Sequence, residues 1–374
     1  SRKAVLKYLR AERLAWWFYP STLGCVARPR RGCPARCSGL DASDLWETWY
    51  PIRAATNRKD QDMAELGPRR PQFKGNYGKK GKRILTLTFA ECGENGAGME
   101  LIGSTATPDQ AVGFEELQEL QGLLDEKGFT TFLHDFKDAI DHGPLGPVAA
   151  ALPDAKSVPV AGVLVVRGLF KKELLDAAEE SLWADSVPID TMALMGRGAR
   201  RDVYNKNARH NNCMTPRATR PPNIASKEDY ADGKGSVLAL EDFPEIAKFN
   251  RRIQRMLVRD LGVVENNYYF NPGRNNGIGW HGDSERRIAT LLRLGEASTM
   301  QPLNFQFFWN FKPWGPIFRL PLRHGDIVFF SEFAVGTDWM AAPRRRWTMR
   351  HAAGVAHAKP KDSNHSTVMV MHPV

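Results

Sequence analysis

Apolar residues recur along this chain with two different periods, and the change of period divides it. ILTLTF (Ile84 to Phe89) is a continuous apolar and β-branched run after a Lys-Gly-Lys-Arg stretch, which predicts a buried strand. FEELQELQGLLDEK places Phe114, Leu117, Leu120, Leu123 and Leu124 on one face of a helix over 114–127. Phe129 to His134 and Val160 to Val166 then read as strands, so residues 83–170 are expected to form a small α/β module. Lys171 to Trp183 and Phe243 to Leu261 are amphipathic helices, the second marked at its start by Asp242 or Pro244. Beyond Asn266 the pattern shortens to aromatic strands: NYYFN, RIATLLRLG, LNFQFFWNF, FRLPL, DIVFF and STVMVM. Sixteen of the 37 aromatic residues lie between Tyr268 and Trp347, at a spacing that predicts an antiparallel double sheet, a jelly roll or small barrel, so most of them are core. The expected fold class is α+β.

Two stretches break the pattern. Residues 1–82 are basic and lack periodicity, with a Pro- and Gly-rich linker over Pro51 to Lys82, and are expected to be a poorly ordered arm. Residues 196–236 are too long for a simple connection and read as a lid loop, in which Arg197, Arg200, Arg201, Lys206, Arg209, Tyr204 and His210 could cover a polyanion. A mobile surface loop is the plainer alternative. The domain layout expected is therefore an arm (1–82), a module (83–170) and a sheet domain (171–374).

Charge sharpens this division. The formal net charge is +10, yet residues 1–83 hold 19 basic and 7 acidic side chains, leaving a nearly neutral body. The arm is either a phosphate-gripping segment, sensitive to salt, or a solvated linker or targeting remnant. The chain starts at Ser1, and the uncharged run Leu14 to Ala27 after a basic start could imitate a leader, so organelle targeting stays open. No apolar run approaches the ~18 residues of a membrane helix. Five cysteines argue against a disulfide scaffold; Cys92 and Cys213 are expected to be free thiols, in keeping with the nucleus or cytoplasm. Cys25, Cys33 and Cys37 lack zinc-site spacing, and GENGAG lacks the residues of a nucleotide loop, so a tight turn is expected there.

His281-Gly282-Asp283 sets an imidazole and a carboxylate on one side of the chain before a strand, half of the two-His, one-carboxylate face that holds iron(II) with open positions. A second copy, His324-Gly325-Asp326, opens directly into IVFF and reads as a structural turn. Among His351, His357, His365 and His372, the first ends a strand-like run and is followed by the small residues Ala352, Ala353 and Gly354.

NYYFNPGRNNGIGWHGDSERR, the strand ending RLG, NFQFFW, HGDIVFF, and SEFAVGTDW leading to MRHAAG occur in an order that resembles the AlkB-like iron(II) and 2-oxoglutarate-dependent dioxygenases, notably those of large DNA viruses and algae. The likeness covers roughly residues 190 to 355, and ECGENGAGMELIG also looks like the viral forms. It implies a double-stranded β-helix that holds iron(II) through His281, Asp283 and His351, with Asn267 and Tyr269 on 2-oxoglutarate, dioxygen as co-substrate and ascorbate as a possible reductant. One departure stands out. The family's arginine strand follows the distal His, whereas no Arg follows His351 here. A carboxylate anchor must be a cation, so Arg293 in its apolar strand is the first choice, Arg350 the second, and Lys359 or Lys361 the third. An ion pair of Arg293 with Glu296 or Asp326 is the competing structural reading.

The resemblance implies hydroxylation of a methylated base in DNA or RNA, releasing formaldehyde from an N-methyl group. Arg200, Arg201, Tyr204 and Trp280 are the candidates for gripping and stacking such a substrate. A protein side-chain hydroxylase and a non-catalytic binding protein on the same fold remain alternatives, and the oligomeric state is open.

Overall fold

A computed structural model of the chain describes residues 82–94, 99–141, 158–197, 200–206, 208–216, 227–270, 276–337, 346–355, 358 and 367–371. The arm expected over 1–82 therefore lies outside the described residues except for Lys82. Strands dominate. The first part of the chain gives β1 (Ile84–Ala90), β2 (Cys92–Glu94), β3 (Leu101–Gly103), β4 (Thr130–Asp135), β5 (Gly162–Arg167), β6 (Met192–Arg197), β7 (Arg200–Asn205), β8 (His210–Thr215) and β9 (Val237–Ala239). The second gives β10 (Val263–Tyr269), β11 (Ile278–His281), β12 (Thr290–Leu294), β13 (Leu303–Trp309), β14 (Lys312–Leu320), β15 (Ile327–Phe330), β16 (Trp347–Ala353) and β17 (Val368–Val370). The architecture is α+β, built on a large, mainly antiparallel sheet.

The larger sheet has the order β4-β5-β15-β12-β1-β10-β8-β9, and a five-stranded sheet has the order β11-β16-β13-β14-β17. Among the described strands, only β8–β9 and β14–β17 pair in parallel. β1, β4 and β5 all join the eight-stranded sheet, with β1 hydrogen-bonded between β10 and β12, so the boundary expected at residue 170 cuts through one sheet. The physical reason is the unbroken apolar run of β1: a strand buried on both faces needs partners on both edges, and only later strands supply them.

Alternation assigns the faces. Leu85, Leu87 and Phe89 of β1, with Leu292 and Leu294 of β12 and Leu164 and Val166 of β5, pack against helices Phe114–Glu126, Lys172–Leu182 and Pro244–Leu257. Val163, Val165, Leu291, Val328 and Phe330 face the other way and share a core with Phe305, Phe307, Phe318 and Met349 of the five-stranded sheet. The eight-stranded sheet is thus covered by helices on one side and by the second sheet on the other. Helix Pro244–Leu257 begins at its proline but stops four residues before Leu261, because Val258 takes a left-handed conformation (φ 52°).

Residues 196–236 differ most from expectation. In place of a lid loop, β6 and β7 form a hairpin, β8 joins the main sheet beside β10, and a short helix (Lys227–Ala231) precedes β9. β8 reads HNNCMT, and its buried Asn211 and Asn212 hide the strand from any hydrophobic pattern. Asn212 Nδ2 donates to Pro188 O and Asn266 Nδ2 donates to Asn212 Oδ1, which replaces apolar packing by amide pairing.

The second His-Gly-Asp copy is a turn, as its context predicts. Asp326 is buried and accepts two bonds from Arg167 Nε and Nη2 at 3.0 and 3.3 Å, and a third from Arg323 N–H. Its carboxylate is therefore engaged away from Arg293. Removing one partner of a buried charge pair strands the other, so Asp326→Ala should cost about 3 kcal/mol, read as a shift in the urea midpoint.

Candidate metal centre

β11 is an edge strand, and its one neighbour β16 brings His281 directly opposite His351 in register. A bulge between Ile278 and His281 re-aims the end of β11, and Asp283 follows two residues later. His281 Nε2 and His351 Nε2 each lie 3.6 Å from Asp283 Oδ1, and the two imidazole rings are 4.3 Å apart. Among the described residues these three form a group whose ligand atoms all lie within 4.8 Å of one another. His281 Nδ1 bonds Gly279 O at 2.7 Å; with the proton on Nδ1, Nε2 is left as the ligand atom.

The loop is clamped in place. Asp283 N–H donates to Val335 O, at the end of the short helix Glu332–Val335, and Gly336 follows with φ 77°. A Cβ at Gly336 would stand 2.6 Å from Met349 O and 2.9 Å from Gly282 Cα, so only glycine lets the ligand loop approach β16 this closely. Phe305 and Phe330 close one side of His351, with ring centroids at 6.1 and 5.8 Å.

Charge is arranged to keep a neutral His281 imidazole beside an ionised Asp283. Burial, then the neighbouring His351, holds the His281 imidazole down to about 4. Burial would raise Asp283, but Arg286 and His351 outweigh it and hold the carboxyl well below the usual carboxylate range. Arg286 is buried, 3.8 Å from Asp283 Oδ2, and reaches Glu265 Oε2 at 2.7 Å and Glu285 Oε1 at 2.8 Å. Glu265 in turn lies 3.7 Å from Arg209 Nη1, which also donates to Asn267 Oδ1. This chain of charges runs from a metal-capable carboxylate to strand β10.

Asn267 and Tyr269 of β10 share the inward face with Thr86 and Arg293, because Thr86 is paired with Asn267 on one side and with Arg293 on the other. Tyr269 packs with Ile278 and Ala353, which flank the ligands on β11 and β16. Burial raises its phenol while the Arg209 and Arg293 cations oppose that rise, so Tyr269 lies in the field of both. Arg293 is fully buried, and among the described residues Nε, Nη1 and Nη2 find no hydrogen-bond partner, nor does Thr86 Oγ1. Burial pulls the guanidinium down to about 10, against Tyr269 and Asp326. The competing ion pairs do not form: Asp326 is bound to Arg167, and no salt bridge joins Arg293 to Glu296 among the described residues.

Other expected residues are placed elsewhere. Arg350 alternates with His351 and stacks on Phe308 at 4.2 Å, on the opposite face of the sheet. Trp280 also meets Phe308, at 5.9 Å between centroids, and not the ligands. Arg200, Arg201 and Tyr204 lie on β7, opposite Arg197, Gly196 and Ala193, and their side chains are outside the described residues. Lys359, Lys361, His357, His365, His372, Cys25, Cys33 and Cys37 are also outside them. Cys92 and Cys213 are free and buried. Sequence reasoning missed Thr86 and Glu265, buried polar residues at alternating positions of otherwise apolar strands, and gave Arg286 no role although it stands three residues after Asp283.

No family model and no solved structure matches the chain. It is 32% identical over 279 residues to an uncharacterized protein of Acanthamoeba polyphaga mimivirus, an alignment covering 73% of this chain and 96% of the viral one. No helix among the described residues is long and apolar enough to cross a membrane.

His281→Ala, Asp283→Ala and His351→Ala should each abolish binding of iron(II) in an anaerobic titration, whereas His324→Ala should leave it intact. Equal loss in all four would transfer the metal to another place. His210 gives a separate test: burial holds it to about 4, below its value in the unfolded chain. The unfolded state then takes up the proton first, so stability is complete above about pH 6.5 and falls toward pH 4, by roughly 3 kcal/mol at most. His210→Gln should flatten that acid limb in urea melts at several pH values.

Proposed function

The chain belongs to the same family as the mimivirus protein, and for it we propose an iron(II)- and 2-oxoglutarate-dependent dioxygenase of AlkB-like type, acting on methylated bases in nucleic acid. The observation that carries the reading is the pairing of His281, Asp283 and His351 with a buried, unpartnered Arg293 on the facing sheet. A two-His, one-carboxylate set suits iron(II) that must keep open positions. A guanidinium with five free donors inside a protein suits a carboxylate and little else. The two facing sheets are compatible with the double-stranded β-helix that this reading requires.

When bound, the iron with 2-oxoglutarate and dioxygen supplies oxidation of a C–H bond, coupled to release of carbon dioxide and succinate. The chain's own residues do the positioning. His281, Asp283 and His351 would hold the metal, and Arg286 keeps Asp283 ionised and oriented. Arg293 would bind the far carboxylate of 2-oxoglutarate, with the Thr86 hydroxyl and the Tyr269 phenol beside it and Asn267, held by Arg209, along the same row. Phe305 and Phe330 exclude water on the His351 side. On an N-methyl group, hydroxylation gives a product that loses formaldehyde.

Arg293 stands in for the arginine that AlkB-like proteins carry after the distal His. The resemblance along residues 190 to 355 supports the nucleic-acid substrate over a protein side chain, and the substrate assay separates the two. Succinate release from 2-oxoglutarate should depend on iron(II) and increase with methylated oligonucleotides. Arg293→Ala should raise the KM for 2-oxoglutarate by about 30-fold or more, with Arg293→Lys recovering part of it. Turnover with unchanged KM in Arg293→Ala would move the anchor elsewhere; no turnover with any methylated oligonucleotide would remove the nucleic-acid reading.

A further inference from the structure

We infer that one end of the five-stranded sheet, on the face turned away from the metal ligands, is a docking surface for single-stranded nucleic acid. The surface is built from Trp280, Phe311, Lys312 and Arg350, with Arg350 laid over the buried ring of Phe308. Its partner class rests on the nucleic-acid reading above, but its binding does not depend on turnover.

The hairpin between β13 and β14 carries the first argument. Its two loop residues, Asn310 and Phe311, have φ of 48° and 66°. Both central residues of such a loop must be left-handed to match the strand twist, and the second is ordinarily glycine. A bulky side chain there is unfavourable, and Phe311 does not offset it by burial, since it is 53% exposed. Folding alone would favour glycine. An exposed aromatic ring held at a hairpin tip against its own backbone preference is what a stacking surface requires.

Cations and a second aromatic side chain surround that ring. The Arg350 guanidinium lies 4.2 Å from the Phe308 ring centroid and 5.8 Å from that of Phe311, so a cation runs between two aromatic faces. Trp280 borders Phe308 from β11. Asn310 N–H donates to Arg346 O, which brings a second arginine to the hairpin.

Charge selects the partner. β11, β13, β14, β16 and β17 contain no Asp or Glu at all, while Lys312, Arg319 and Arg350 are cationic. Arg344, Arg345 and Arg346 immediately precede β16 in sequence. Aromatic faces interleaved with cations and free of carboxylates match a strand of bases and phosphates, which stacks without sequence preference. An apolar partner would have no use for the arginines, and a basic one would be repelled.

Phe311→Gly separates this role from a structural one, because it removes the ring and relieves the left-handed strain together. Binding of a fluorescent, unmodified single-stranded oligonucleotide is measured by anisotropy without iron or 2-oxoglutarate, alongside the melting temperature. The expected result is an affinity lower by about fivefold or more with a melting temperature equal to or above wild type. Lys312→Gln should shallow the salt dependence by about one phosphate contact. Wild-type affinity in Phe311→Gly, in a protein that still binds the oligonucleotide, would overturn the docking surface alone. Failure of the wild type to bind any oligonucleotide would overturn it together with the nucleic-acid substrate. A salt-independent loss would also overturn it, in favour of an apolar partner.

Discussion

A guanidinium buried in the middle of a sheet is the constraint around which this structure is arranged. Arg293 lies on β12, the strand beside the central β1, fully enclosed and with none of its three side-chain nitrogens bonded among the described residues. Enclosing an ionised group without acceptors is among the most costly things a fold can do. The nearest way out, pairing with Asp326 on the adjoining turn, is closed because Asp326 is bound to Arg167. The Asp326 backbone carbonyl accepts the Arg293 N–H, while its carboxylate is bonded to Arg167 and to the Arg323 N–H. We propose that a sheet enclosing such a group is shaped for an anion.

The rest of the inward face supports that reading through charge order. Asp283, Arg286, Glu265 and Arg209 alternate in sign from the metal-capable loop to Asn267. Alternation lets each buried charge be neutralised by the next, and it couples the position of Asp283 to that of β10. The five-stranded sheet then supplies two imidazoles from paired strands, and Gly336 sets how closely the carboxylate loop approaches them. A site divided between two sheets gains its precision from the common core of Phe305, Phe307, Phe318, Val328 and Phe330, which fixes one sheet against the other.

The sequence made the elements legible where burial is one-sided or complete. The helices at 114, 172 and 244, the run of β1, and the aromatic strands after residue 266 all follow from periodicity, with ends displaced by a few residues. His281 and Asp283 were legible from spacing, and His351 from the end of a strand-like run. Arg293 stood out as a cation within an apolar strand, and it is fully buried. β8 was not, since its buried Asn211 accepts from Lys206 Nζ and its buried Asn212 pairs with the Asn266 amide, bonds that no hydrophobic pattern encodes. The integration of residues 83–170 was also hidden, because long-range pairing of β1 with β10 and β12 leaves no local trace. The opposite-face placement of Trp280 and Arg350 depends on strand register, which spacing alone does not fix.

In the proposed function, Arg293 and the His281, Asp283 and His351 group belong to one site that binds a dicarboxylic keto acid through both ends. The most direct measurement is an anaerobic titration of 2-oxoglutarate into the iron(II)-loaded protein, following the weak visible charge-transfer band of the chelate. The expected result is a saturable band in the wild type, one that Arg293→Ala shifts to much higher 2-oxoglutarate and that succinate, lacking the keto group, cannot produce. A wild-type protein that binds iron(II) but gives no band, or a band with the same affinity in Arg293→Ala, would contradict it.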